Sequence, residues 1–200
     1  MNLPIMCLIG YLVGSIPTGF LLTKLFSGID LRNFGSNSTG ATNVLRTGDK
    51  KLALLTMLMD VLKGAILTLS FKLFSHDPYY LFSSFFCIIG HAYSIWLLFK
   101  GGKGVATSAG IFLVISPAFA IISITIWAIL AKFVKVSSIA SISLSFSFVI
   151  MCSYGFMFHQ NTSFDIFLFS IVCLGFLLLT HSKNIKRIIR GSEHETSVNG

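Results

Sequence analysis

The sequence predicts an all-α, polytopic integral membrane protein with seven transmembrane helices, and three observations carry that prediction. Hydrophobic residues make up 54% of the 200-residue chain and charged residues only 11%, against about 25% charged in an ordinary soluble domain. Six apolar runs, near 3–26, 52–74, 79–99, 105–131, 137–158 and 164–180, follow one another along the chain, and a spanning helix needs about 20 such residues. Finally, thirteen of the fifteen Lys and Arg residues lie in alternate connections or in the C-terminal tail, the asymmetry that orients membrane proteins.

The first run has no basic residue ahead of it, and Lys24 follows it. A secretory signal carries its positive charges before the apolar stretch, so this order predicts a retained span with the N-terminus outside. Gly10 and Gly14, one helical turn apart, predict a close helix–helix contact. The second run holds Asp60 and Lys63 at i, i+3. Ionisable groups inside a bilayer are expensive, and the pair reads equally as a functional element or as a mutual structural pair. The third run ends at Lys100.

The fourth run, 105–131, is long for one span, short for two, and broken at Ser116–Pro117. Charge decides between the two. If it is a hairpin of two short helices turning at Pro117, then Lys24, Arg32, Arg46, Lys50, Lys51, Lys100, Lys103, Lys132, Lys135, Lys183, Lys186, Arg187 and Arg190 share one side. As a single span it would put the last two clusters outside, against the positive-inside tendency. The expectation is therefore seven spans, the fourth and fifth short, with the C-terminus in the cytoplasm. In the run 137–158, Ser138, Ser141 and Ser145 follow helical spacing and predict a polar seam, with Ser145 serving helix packing. The final run leads into a basic tail. Residues 1–200 make one membrane-embedded domain in this reading.

The same arithmetic disposes of the net charge of +8, because topology and lipid headgroups account for the cations; no nucleic-acid partner is expected. Cys7, Cys87, Cys152 and Cys173 stand far apart inside apolar runs and read as small buried hydrophobes, so no metal site is expected.

Three polar, mostly glycine-rich segments interrupt this pattern on the basic side. In Ser27–Lys51, the stretch GATNVLR has the form of a helix start, where unpaired N–H groups attract anions; Ser36, Thr42 and Asn43 add donors and Arg46 a charge. The stretch FKGGKGVATSAG, 99–110, places Gly101, Gly102 and Gly104 around Lys103. Such glycines let backbone approach a ligand closely and form concave nests of anion-binding N–H groups, and Lys103 offers phosphate a compact positive charge. The nucleotide-binding pattern G-x-x-x-x-G-K-[ST] fails, since Gly104 follows Lys103. Taken alone, the stretch equally suits a flexible turn with topogenic lysines. In the third segment, 181–195, His181 and Asn184 share a face if the helix continues.

The order of the segments resembles a known family. G-S-x-x-x-G-A-T-N-V-x-R from Gly35, G-H-x-x-S-x-W-L-x-F-K-G-G-K-G-V-A-T from Gly90, and H-x-x-N-I-x-R-x-x-x-G-x-E from His181 look like the bacterial acyl-phosphate:glycerol-3-phosphate acyltransferase (PlsY) family, over nearly the whole chain. The resemblance implies an inner-membrane, multi-pass enzyme whose active site faces the cytoplasm. It would move a fatty acyl group from acyl phosphate to the 1-hydroxyl of sn-glycerol 3-phosphate, giving lysophosphatidic acid and inorganic phosphate without cofactor or metal. Membrane lipid and the soluble enzyme that forms acyl phosphate are the implied partners. Carried over by motif, Ser36, Lys103, His181 and Asn184 are the expected catalytic residues. Thr42, Asn43, Arg46, Gly101, Gly102, Gly104, Ser138 and Ser141 are expected to bind substrate or phosphate. The chain departs from the usual G-S-G-N-x-G-A-T-N, holding Asn37 at a glycine position and Ser38 at the asparagine position. The rival from another class is a small polytopic transporter of an organic phosphate, which would place its polar residues at the bilayer midplane.

Overall fold

The computed structural model describes residues 2–75, 78–159 and 162–192, and among them every regular element is helical. Ten α-helices follow in order: α1 (Leu3–Ser15), α2 (Thr18–Ser27), α3 (Ala41–Leu45), α4 (Lys50–Phe74), α5 (Tyr79–Ala92), α6 (Val105–Ile115), α7 (Pro117–Phe133), α8 (Ser137–Tyr154), α9 (Phe164–Thr180) and α10 (Ser182–Ile189). The chain divides into two compact units, one running to Ile111 and the other starting at Phe112. Glu193, which ends the third motif, lies outside the described residues.

Local chemistry sets several helix ends. The Asn2 side chain accepts from the Ile5 N–H to start α1, and the Asp49 carboxylate accepts from the Leu52 N–H at 2.9 Å to start α4, both N-caps that satisfy otherwise unpaired amides. Pro17, which has no N–H, divides the first apolar run into α1 and α2, as proline does inside a helical pattern. Pro117 acts the same way at the expected break and becomes the first residue of α7, a position it favours. The third run departs from a straight helix. α5 ends at Ala92, and Leu98 and Phe99 take φ of +53 and +61, so the last apolar residues of that run turn away from the helix axis.

In the first unit α1 packs on α5, with α4 against both. A Cβ at Gly10 would strike the Ser83 carbonyl, one at Gly14 the Cys87 carbonyl, and one at Gly90 the Tyr11 carbonyl. The close contact expected from Gly10 and Gly14 is present, with α5 as the partner helix. In the second unit α8 packs on α7 and α9, and Phe112 stacks on Phe148 with centroids 3.9 Å apart.

Among the described residues, four helical segments are long and apolar enough to cross a membrane: Leu3–Ser27, Lys50–Phe74, Tyr79–Leu97 and Ser137–Phe158. A fifth is obtained by joining α9 and α10 across their 65° bend. Helices α6 and α7 are apolar but shorter. An 11-residue helix such as α6 rises about 17 Å, little over half of the roughly 30 Å hydrocarbon core.

Candidate functional site

The connection from α2 to α4 is built by its own polar side chains. Asp30 accepts from the Arg32 N–H at 3.0 Å and opens a 3-10 turn, Leu31–Asn33. Arg32 closes a fork on the same carboxylate, Nε to Oδ1 at 3.0 Å and Nη2 to Oδ2 at 2.7 Å, with its guanidinium 4.9 Å from the Phe20 ring centre. These hydrogen bonds hold the Asp30 carboxyl well below its usual value, at about 2. They also engage Arg32 with Asp30.

Asn43 organises that motif. Its Oδ1 accepts from the Ser36 N–H at 2.9 Å, while its Nδ2 donates to the Phe34 and Ser38 carbonyls at 2.8 Å each. The loop 34–38 winds around this buried amide, with Gly35 at φ +56 and Asn37 at φ +57. A Cβ at Gly35 would collide with Asn43 Oδ1. Asn37, the residue that departs from the resembled pattern, is of the non-glycine type that best tolerates the left-handed region, so the departure keeps the backbone turn. Asn43 was expected to offer donors to a ligand; its amide shapes the loop. Ser36, Thr42 and Arg46 are half-buried on the loop's frame. The helix start expected at Gly40 is present, but α3 has only five residues and hence little summed dipole. Leu31, Val44, Leu52 and Ala53 form a small apolar core beneath.

The second motif is a turn pinned to the end of α5. The Gly101 N–H donates to the Ala92 carbonyl at 3.0 Å and the Gly102 N–H to the His91 carbonyl at 2.9 Å. Both amides therefore cap α5, and these glycines contribute clearance where donors were expected. A Cβ at Gly101 would meet the His91 and Ala92 carbonyls, and one at Gly102 the His91 Nε2. Gly104, at φ +89, packs on Ile88, and α6 begins at Val105 directly after it. Lys103 stands half-buried between them. The two motifs touch: the Thr39 N–H donates to the Gly101 carbonyl at 3.5 Å. Just before the turn, Trp96, Leu98 and Phe99 are 65%, 78% and 59% exposed, an apolar apron adjoining the basic turn.

Beneath the turn lies a charge cluster that the sequence only half discloses. Lys63 Nζ stands 2.7 Å from Asp60 Oδ1 and 2.9 Å from His91 Nδ1, and donates to the Ile16 carbonyl at 3.1 Å. Thr18 Oγ1 donates to Asp60 Oδ1 at 2.6 Å. The Asp60–Lys63 pair is mutual, and His91 and Thr18 complete it. Of these two, His91 carries a signal in the sequence, a lone histidine within the apolar run 79–99. Removing one partner of such a buried pair costs about 3–5 kcal/mol, because the other charge is left uncompensated.

The second unit holds the remaining candidates. Ser138, Ser141 and Ser145 are buried along one face of α8, as their spacing predicts. His181 ends α9 and starts α10, so the continuing helix expected there is bent. The His181 ring is buried, with Nδ1 2.8 Å from the Leu177 carbonyl. A carbonyl only accepts, so Nδ1 carries the proton and Nε2 of the neutral ring is an acceptor. Asn184 is buried in the first turn of α10. Among the described residues no group of three or more His, Cys, Asp or Glu has metal-binding geometry.

Comparison with known proteins gives a consistent result. The family model described as glycerol-3-phosphate acyltransferase matches residues 4–191. A glycerol-3-phosphate acyltransferase of Pelagibacter ubique is 38% identical over 194 residues, 97% of this chain and 97% of that one. The crystal structure of PlsY, an integral membrane glycerol 3-phosphate acyltransferase, in its glycerol 3-phosphate form superposes with a TM-score of 0.86 at 35% identity, covering 96% of this chain and 94% of that one. Its lysophosphatidic acid form gives 0.85 at 32% identity, covering 98% and 96%.

Proposed function

We infer the reaction from one premise: this chain belongs to the glycerol-3-phosphate acyltransferase family. It is a membrane enzyme that acylates glycerol 3-phosphate to lysophosphatidic acid. The acyl donor we propose is acyl phosphate, supplied by the soluble enzyme that forms it, and the acceptor is the 1-hydroxyl. The observation that carries this reading is the contact of the Asn43-built loop with the glycine turn of Lys103, beside exposed Trp96, Leu98 and Phe99. Cations for phosphate thus stand next to apolar surface, which suits a donor with a phosphate head and an acyl tail. A solute transporter would need its polar groups at the midplane, whereas these two motifs occupy helix ends and connections.

The substrate hydroxyl oxygen bonds to the acyl carbonyl carbon, the carbonyl takes up negative charge, and the carbon–oxygen bond to phosphate then breaks. Phosphate is a good leaving group, so acid catalysis is not demanded. Residue roles follow from side-chain chemistry. Arg46 and Lys103 take phosphate oxygens, with Gly101, Gly102 and Gly104 giving clearance and Thr42, Ser138 and Ser141 offering hydroxyls. Ser36 and Asn184 are donors for the developing oxyanion, an effect of about 3–4 kcal/mol per well-placed group. His181, with Nδ1 committed to the Leu177 carbonyl, presents Nε2 as the base for the hydroxyl proton.

Seven spans with the reacting segments on the cytoplasmic face of the inner membrane complete the reading, because that arrangement gathers the thirteen cations on one side. The test is a donor comparison with the purified protein: acyl phosphate should support lysophosphatidic acid formation, while acyl-CoA and acyl carrier protein should not. Equal rates with acyl-CoA would overturn the choice of donor.

A further inference from the structure

The buried cluster of Asp60, Lys63 and His91 has no step in the reaction, yet it ends on the glycine turn. Its side chains are 1%, 8% and 7% exposed. Lys63 is donor-only, so at 2.9 Å it makes His91 Nδ1 an acceptor, and the neutral ring then carries its proton on Nε2. That Nε2 faces Gly102, where a Cβ would overlap it, and the His91 carbonyl takes the Gly102 N–H at 2.9 Å. At its other end Lys63 donates to the Ile16 carbonyl at 3.1 Å, where α1 stops before Pro17, a favourable place for a cation at a helix C-terminus. Asp60 in turn is held by Thr18, the first residue of α2. Two further bonds fix the residues just after His91: Tyr11 donates to the Tyr93 carbonyl at 2.8 Å and Ser94 to the Ser15 carbonyl at 2.6 Å. The turn that carries Lys103 is thus referenced, through one imidazole, to the break between α1 and α2.

We propose that Asp60, Lys63 and His91 are positioning residues that set the Gly101–Gly102 turn and thereby place Lys103 for the phosphate of glycerol 3-phosphate. The proposal rests on the acyltransferase reading for its kinetic consequence, while its structural consequence is independent of activity. A cluster serving stability alone would, when broken, loosen α1, α5 and the turn alike. A positioning cluster acts on the turn first and on substrate affinity before turnover.

The experiment compares full-length wild type with Lys63→Met by hydrogen exchange and steady-state kinetics. We expect amide exchange in the peptide 99–106 to accelerate at least tenfold with α1 and α5 peptides unchanged. The KM for glycerol 3-phosphate should rise at least tenfold and kcat fall less than threefold. Unchanged exchange in 99–106, equal acceleration in α1 and α5, or a fall in kcat with KM unchanged would each overturn the role. If Lys63→Met does not fold, a double-mutant cycle decides. Gly102→Ala should raise KM tenfold in the wild type but less than threefold in a His91→Ala background, and equal costs in both would refute the coupling. Should wild type form no lysophosphatidic acid, the functional reading fails, and the exchange comparison still judges the positioning role.

Discussion

The side chain of Asn43 holds the backbone of Ser36, seven residues earlier: Oδ1 accepts the Ser36 N–H at 2.9 Å while Nδ2 bridges the Phe34 and Ser38 carbonyls. One buried amide thereby fixes a loop that has no regular ladder of its own. Asn43→Ala removes the side-chain partner of four backbone groups, the Ser36 N–H and the Leu31, Phe34 and Ser38 carbonyls, at about 1–3 kcal/mol for each that stays buried and unpaired. We expect a lower melting temperature and an initial rate at least about a hundredfold down, since a misplacement of about 1 Å already costs that much. Asn43→Asp is isosteric and keeps the acceptor for Ser36, but sets a carboxylate against two carbonyls. It should lose as much, and activity within threefold of wild type would show that the loop does not depend on this amide.

Lys103 follows two glycines whose amides cap α5 and precedes Gly104 at φ +89, so its neighbours hold its backbone. Lys103→Ala should therefore retain the fold, with stability changed by about 0.5 kcal/mol or less, and lose turnover by about 10²–10³-fold through loss of a charge-assisted contact to phosphate. Melting curves and initial rates on the same preparation check both halves. Retained turnover would assign the lysine to topology alone.

Glycines of the same residue type should behave oppositely according to what faces them. At Gly14 the Cys87 carbonyl occupies the space a Cβ needs, whereas nothing lies within 4 Å at Gly175. Gly14→Ala should destabilise by about 1–3 kcal/mol as α1 is forced off α5. Gly175→Ala should be neutral or gain about 0.5–1 kcal/mol from helix propensity. Thermal melting in detergent separates them.

Much of this was legible in the sequence because it follows from local rules. Pro117 marked a helix break, Gly10 and Gly14 marked a close contact, and the helix start at Gly40 was readable from GATNVLR. The expectation of anion-binding amides at Gly101 and Gly102 did not anticipate that α5 ends at Ala92, which turns those N–H groups onto its final carbonyls. Asn43 was readable as a donor but not as a loop anchor, since its partners are backbone atoms at positions 34, 36 and 38 and carry no side-chain signature. The role of His91 was hidden for a related reason: its contacts with Lys63 and Asp60 join helices far apart in sequence, beyond the reach of spacing rules. The bend between α9 and α10 falls at His181 without a proline or glycine to announce it.

The seven-span reading makes a labelling prediction at the α6–α7 break, where Ala118 is exposed. In a Cys7→Ser background, Ala118→Cys should react with a membrane-impermeant maleimide from outside intact cells. Lys51→Cys, at the exposed start of α4, should react only after the membrane is opened. Labelling of both positions from the same side would refute that topology.

The most direct measurement is the stoichiometry of the reaction with purified protein, acyl phosphate and glycerol 3-phosphate. The account predicts one inorganic phosphate released per lysophosphatidic acid formed, and neither product when either substrate is left out. Phosphate released without glycerol 3-phosphate, or glycerol 3-phosphate carried into vesicles without being acylated, would contradict it.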